Sequence, residues 1–212
     1  MKGKVIKVKV CGMRDESNIR ELVALHPDYM GFIFYGPSPR FVGEDLDPSI
    51  LDYIPESIGR VGVFVDADKE YILQKINMYA LKFIQLHGGE PPEFCREMSD
   101  EGISVIKSFH VGAEFDFNIV NPFKPWCKYF LFDTKCSSFG GSGSKFQWDI
   151  FEKYDNEIPV FLSGGIGADD NGLIRELDCL NLHAVDINSR FEKSPGIKNI
   201  QEIRKFIREL KS

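Results

Sequence analysis

Short apolar runs return along this chain at a regular interval. They fall at 6–10, 29–34, 61–65, 83–86, 104–108, 129–133, 159–163 and 184–188, mostly one every 22 to 30 residues. Each is rich in β-branched or aromatic residues and too short for a helix, which predicts a strand. Between most of them the apolar positions follow the helical period instead, as in Ile19, Leu22 and Val23, or Ile200, Ile203, Phe206, Ile207 and Leu210. Strand and helix patterns that alternate in this way predict parallel βαβ units with right-handed crossovers. The unit between the fifth and sixth strands is expected to be irregular, because Pro122 and Pro125 interrupt it.

Runs such as Val61-Gly62-Val63-Phe64-Val65 are apolar at nearly every position, as expected of strands covered on both faces. Eight of them are the number that closes a (β/α)8 TIM barrel. The 212 residues leave little room for anything else, so a single barrel domain over residues 1–212 is expected. No tract marks a linker or a domain boundary. The longest connection, from Lys135 to about Gln147, is rich in glycine and serine and reads either as a flexible linker or as a lid.

Composition narrows the function classes. A formal net charge of −6 argues against a general nucleic-acid surface, so an anionic small substrate would need a local site. No apolar run approaches a membrane span, and Met1-Lys2-Gly3-Lys4 runs into a strand pattern without a cleavable signal, so a cytoplasmic protein with no membrane partner is expected. The five cysteines form no C-x-x-C pair and the four histidines no H-E-x-x-H spacing; neither a disulfide framework nor a zinc site is suggested.

In a parallel barrel the strand ends and the loops after them share one face, where active sites sit. That face would carry Cys11, the Ser38-Pro39-Arg40 loop, Asp66, His87, Lys107 or His110, Asp133, Ser163-Gly164-Gly165, and the residues from Asp186 to Arg190. A thiol becomes a usable base beside a cation, but a free cysteine is equally at home as a small buried hydrophobe. Asp133 ends an apolar strand, where desolvation would make it an acid; alternatively it caps a turn or pairs with Lys135 or Lys107. For Lys107, pairing with Asp133 or Asp186 stands beside catalysis. Arg40, on a loop stiffened by two prolines, suits bidentate capture of a carboxylate or phosphate. Ser163-Gly164-Gly165-Ile166-Gly167 follows the seventh strand, where bare backbone N–H groups can hold phosphate.

Taken in order, Lys7-Val8-Lys9-Val10-Cys11-Gly12-Met13, Gly31-Phe32-Ile33-Phe34 with Ser38-Pro39-Arg40-Phe41-Val42, Val61-Gly62-Val63-Phe64-Val65, Gln85-Leu86-His87-Gly88, Phe132-Asp133-Thr134, Gly140-Gly141-Ser142-Gly143 with Phe146-Gln147-Trp148, and Ser163-Gly164-Gly165 give a chain that resembles the phosphoribosylanthranilate isomerase family over nearly its whole length. The resemblance implies an Amadori rearrangement of a phosphorylated sugar amine, in tryptophan biosynthesis, without metal or other cofactor. It implies Asp133 as acid, Cys11 as base and Arg40 on the anthranilate carboxylate. Gly141, Gly164, Gly165, Ser189 and Arg190 would complete the substrate-binding set, in a monomer or homodimer.

One departure stands out. The family usually carries Asp, an apolar residue, Ser-Ser-Gly, an apolar residue and Glu after the eighth strand, whereas this chain reads Asp186-Ile187-Asn188-Ser189-Arg190-Phe191-Glu192. Arginine in place of glycine either reshapes the loop, contacts the phosphate, or points to solvent. Two rival readings stand beside the resemblance: another phosphate-binding barrel, such as indole-glycerol-phosphate synthase or a pentose-phosphate epimerase, and a barrel that binds phosphorylated ligand but has lost turnover through the Arg190 change.

Overall fold

In the computed structural model, which describes residues 5–43, 46–134 and 148–211, eight parallel strands close into a barrel. They are β1 (Lys7–Val10), β2 (Tyr29–Ile33), β3 (Gly59–Phe64), β4 (Phe83–Leu86), β5 (Ser104–Val111), β6 (Tyr129–Thr134), β7 (Val160–Ser163) and β8 (Leu182–Ile187). Each pairs with its neighbour in sequence, and β1 pairs with β8 to close the ring. All eight expected runs became strands. Among the described residues no helix is long and apolar enough to cross a membrane.

Strand alternation sorts side chains between the barrel interior and the outer layer. Tyr29, Val61, Ile106, Leu131, Phe161 and Ala184 form an inner cluster, and the larger core lies between the strands and their covering segments. Along β1 the inward positions are Lys7 and Lys9, with Cys11 next; along β4 they are Phe83 and Gln85, with His87 next; along β8 they are Ala184 and Asp186, with Asn188 next. Each series is apolar or floor-facing low in the barrel and becomes polar toward the carboxyl end. That gradient makes one end a packed floor and the other a reactive mouth.

The covering layer is less regular than the sequence period implied. True helices follow β1 (α1, Glu16–Val23), β3 (α2, Lys69–Tyr79), β4 (α3, Pro92–Asp100), β7 (α4, Asn171–Arg175) and β8 (α5, Ile200–Leu210). Asp15, Asp68 and Asn199 cap the starts of α1, α2 and α5 through their side chains. α5 buries the expected stripe of Ile203, Phe206, Ile207 and Leu210. Among the described residues after β2, β5 and β6 the chain forms 3₁₀ turns, at Pro48–Tyr53, Phe117–Phe123 and Trp148–Lys153. The irregular unit expected after β5 is the second of these, with Pro122 inside the turn.

Short turns suffice there because the rings are large. Phe109, Phe117, Phe130, Phe132, Phe151 and Tyr154 pack edge-to-face, tilted or stacked with centroids between 5.1 and 6.5 Å apart. Aromatic side chains cover about 150–250 Å² each, so few residues can shield the outer face of β5 and β6. A small antiparallel pair, β9 (Glu192–Ser194) with β10 (Ile197–Lys198), follows β8 and was not anticipated. It carries Glu192 and Lys198 back toward the mouth.

Candidate active site

A cavity of about 430 Å³ opens at the carboxyl ends of the strands. Cys11 and Asp133 both line it, as do Gln85, His87, Asp186, Gly164, Gly165, Ser189 and Arg190. Thiol and carboxyl group therefore share one mouth, the arrangement required of an acid and base acting on one ligand. Cys11 is 4% exposed, and its backbone N–H donates to the Ile187 carbonyl across the β1–β8 seam. Gly31 on β2 leaves the space the sulfur needs: a Cβ there would stand 2.8 Å from Cys11 Sγ.

Directly below the sulfur sits Lys9, fully buried. Its ammonium donates to Asp186 Oδ2 and to Gln85 Oε1, each at 2.9 Å, and its charge acts on the Cys11 thiol. Burial alone would lower the Lys9 pKa. The Asp186 charge and the hydrogen bonds outweigh it and hold the pKa above the ordinary lysine value. Cys11 feels the opposite balance. Burial pushes its thiol up, the charges of Lys9 and Lys198 pull it down, and the net direction is upward. The second carboxylate oxygen of Asp186, Oδ1, has no hydrogen-bond partner among the described residues.

Asp133 stands opposite, beside two imidazoles. Its Oδ2 lies 3.3 Å from His110 Nδ1 and 3.8 Å from His87 Nε2. Register explains the first contact, because His110 on β5 is the direct partner of Asp133 on β6. Lys107, one residue out of that phase, points to the other face of β5. It donates to Glu90 Oε2 at 2.9 Å and to the Gly88 carbonyl at 2.8 Å. The expected pairing of Lys107 with Asp133 or Asp186 is thus incorrect, and the reason is strand parity. Asp66 is likewise a loop residue, accepting from the Gly89 N–H at 2.6 Å. Of the histidines that look scattered in sequence, His87 and His110 meet Asp133, with ligand atoms all within 4.8 Å of one another.

Arg40 captures a carboxylate, but it is the protein's own. Nε and Nη2 donate to both oxygens of Glu192, at 2.7 to 3.0 Å. Glu192 also accepts from Lys198 Nζ at 2.7 Å and from the Gly196 N–H at 3.1 Å. Burial works against that charge, yet the bonds to Arg40 and Lys198 hold the Glu192 carboxyl below its usual range. Lys198 in turn donates to Asn188 Oδ1 at 2.6 Å, which ties the loop after β8 to this cluster. Arg40 is not among the residues lining the cavity; its stem packs over Gly12, next to Cys11.

The loop after β7 has the shape of an anion nest. Gly164 and Gly165 take φ values of +106° and +66°, in the region L side chains avoid. A Cβ on Gly164 would fall 1.9 Å from the Thr134 carbonyl oxygen, so only glycine fits. Arg190 lies in a 3₁₀ turn at Ser189–Phe191 with an ordinary φ, and its guanidinium reaches over this loop. Nε and Nη2 stand 3.6 and 3.7 Å from where a Gly167 Cβ would be. Gly141, expected to bind substrate, lies outside the described residues, as does Lys135.

Strand-end reading missed Lys9, Gln85, Glu192 and Lys198. A signal existed for the first two, since each sits two residues before a strand-end candidate and so faces the same way. Nothing local marked Glu192 and Lys198, which a hairpin brings in.

Residues 8–209 match the family model for N-(5′-phosphoribosyl)anthranilate (PRA) isomerase. The isomerase of Parabacteroides distasonis is 41% identical over 204 residues, covering 96% of this chain and 92% of that one. That of Phocaeicola vulgatus is 40% identical, covering 96% and 97%. Among solved structures, the phosphoribosyl anthranilate isomerase of Thermotoga maritima superposes with a TM-score of 0.86 at 33% identity, over 98% of this chain and 99% of that one. A second isomerase structure, in complex with reduced 1-(o-carboxyphenylamino)-1-deoxyribulose 5-phosphate, gives 0.84 at 31% over 98% and 99%. The chain belongs to the N-(5′-phosphoribosyl)anthranilate isomerase family.

Proposed function

We propose that this chain isomerises N-(5-phosphoribosyl)anthranilate to 1-(2-carboxyphenylamino)-1-deoxyribulose 5-phosphate by an Amadori rearrangement, as a step of tryptophan biosynthesis in the cytoplasm. It does so as one barrel domain, monomeric or homodimeric. The observation that carries the reading is the shared cavity: Cys11 and Asp133 line one mouth whose rim holds a glycine nest of positive φ. That a family member has been seen with the reduced product analogue supports the same substrate class.

Asp133 gives its proton to the furanose ring oxygen, the C1–O bond breaks, and the anthranilate nitrogen lone pair forms a Schiff base. Cys11, as thiolate, then takes the proton from C2, and the electron pair moves toward nitrogen to give the enolamine, which tautomerises to the ketone. The acid thus ends as carboxylate and the base as thiol. Lys9 supplies the cation that makes a thiolate tolerable in a buried position. The nest of Gly164 and Gly165 meets the phosphate with N–H groups, and Ser189 and Arg190 stand on its other side. Arg40, whose Nε and Nη2 are held by Glu192, takes the anthranilate carboxylate on Nη1 once the guanidinium turns toward the mouth.

Loss of anthranilate fluorescence from freshly made substrate tests the reading. Cys11→Ala and Asp133→Asn are each expected to lower kcat by at least about a hundredfold, the scale of a lost general base or acid. Turnover near wild type in either variant removes that residue from the chemistry, and no turnover in the wild type removes the function.

A further inference from the structure

Buried hydrogen bonds at the centre of the barrel fix where His87 carries its proton. The Lys9 ammonium can only donate, so the Gln85 atom 2.9 Å away must be the amide oxygen. The Gln85 NH₂ group is thereby turned toward His87 Nδ1, also at 2.9 Å. An amide NH₂ donates as well, and Nδ1 must answer with its lone pair. The neutral ring then has its proton on Nε2, the nitrogen that faces Asp133 Oδ2 at 3.8 Å. Asp186 anchors the chain at the far end by holding Lys9 charged and in place.

We propose that Lys9 and Gln85 are positioning residues that lock His87 as the neutral Nε2–H tautomer, so that a fixed donor faces the Asp133 carboxyl group and the ring nitrogen beside it is closed to metal ions.

The first consequence is electrostatic. A carboxylate grows on Asp133 as its proton leaves, and a donor already aimed at it stabilises that charge without reorganisation. At 3.8 Å the contact is longer than a hydrogen bond, as catalytic contacts often are before the reacting complex tightens them. Protonating His87 would place a second N–H against the Gln85 NH₂ group, which disfavours the imidazolium. Burial acts in the same direction and is the largest influence; the Asp133 charge opposes it, the smaller charges of His110, Lys9 and Lys107 add to it, and the net direction is downward.

The second consequence concerns metal ions. The two imidazole nitrogens lie 3.3 and 3.8 Å from the shared Asp133 oxygen and all three atoms lie within 4.8 Å of one another, close to the separation of about 3.4 Å that bonds of about 2.0–2.1 Å in a tetrahedron require, so a small shift of the rings would complete a zinc set. To join them, His87 would have to offer the Nε2 lone pair and move its proton to Nδ1, against the Gln85 donor. The tautomer that serves the carboxyl group denies zinc its third ligand.

Long-range ¹H–¹⁵N spectra of imidazole nitrogens report the tautomer directly. The His87 signals, identified by their loss in His87→Gln, are expected to show protonated Nε2 and unprotonated Nδ1 across roughly pH 6 to 8. Gln85→Glu keeps an acceptor for Lys9 but places a carboxylate opposite Nδ1. It is expected to move the proton to Nδ1, to lower kcat at least about tenfold with KM within about threefold, and to add a titration to the kcat profile. Zinc chloride is expected to inhibit Gln85→Glu at least about tenfold more strongly than wild type, and His110→Ala in that background to remove the difference. A protonated Nδ1 in the wild type, or wild-type zinc inhibition that His110→Ala abolishes, overturns the proposal. Only the catalytic half rests on the reading under Proposed function: an inactive protein with the stated tautomer refutes that reading and leaves the lock standing.

Discussion

Cys11 holds two opposed influences within a few ångströms, and their balance sets when it can act as a base. Burial raises the thiol, while Lys9 and Lys198 lower it, and the net shift is upward from the ordinary value. A base must be deprotonated to work, and a raised pKa means that the thiolate is the minor form at neutral pH. As pH rises its share grows about tenfold per unit until the pKa is passed. We therefore expect log kcat/KM to climb with a slope near one from neutrality through the ordinary thiol value of about 8.5. A flat profile over that interval would show that Cys11 is already ionised or takes no proton in the limiting step. The candidate base was legible in the sequence because it ends a strand. Its regulator was not, because Lys9 sits inside an apolar run and reveals itself only through the two-residue period shared with Cys11.

Elements tell a similar story on a larger scale. Every strand was legible, since a strand buried on both faces writes its apolar character into consecutive residues. The covering layer was legible only where a helix supplies the apolar face; after β2 the Ile50 and Leu51 side chains of a short turn, and after β5 and β6 turns rich in aromatic rings, do that work and leave no period of 3.6 to detect. The phosphate contacts we propose rest on two irregular elements, the β7 loop and the turn holding Arg190. The glycine nest was readable from its place after the seventh strand, whereas the reach of Arg190 over Gly167 depends on a turn conformation no motif encodes. Because the backbone N–H groups of Gly164 and Gly165 remain when the guanidinium is removed, Arg190→Gly is expected to raise KM for the phosphorylated substrate by less than about tenfold, or about 1.4 kcal/mol. A larger rise would make Arg190 the principal phosphate ligand, and a KM unchanged within error would place its side chain in solvent.

Over the whole molecule, chemistry and stability are divided between the two ends of the barrel, and acid should separate them. At the floor, His183 on β8 accepts or donates at 2.7 Å with the Tyr29 hydroxyl and stacks on Tyr129 with centroids 4.3 Å apart. Burial, then the charges of Lys7 and Lys128, push its pKa down to about 4, with Asp28 opposing. The unfolded chain binds this proton near 6.5 and the folded one only near 4, so between those values the unfolded state holds more protons and stability falls as pH falls. The full difference corresponds to roughly 3 kcal/mol, lessened by the site's partial exposure to water. His183→Gln retains a hydrogen-bonding partner for Tyr29 and cannot titrate. It is expected to flatten the stability profile measured by urea unfolding between pH 6.5 and 4. It should leave kcat unchanged at neutral pH, because nothing at the floor lines the cavity that holds Cys11 and Asp133. An undiminished acid slope in the variant would move the effect to other groups. Glu192 cannot account for a slope in that interval: its carboxyl is depressed in the fold, so its contribution is intact above the ordinary glutamate range and lost only as pH falls below it. The two residues thus act in successive pH windows, His183 first and Glu192 after, so the pH at which the residual slope begins identifies which end of the barrel yields to acid.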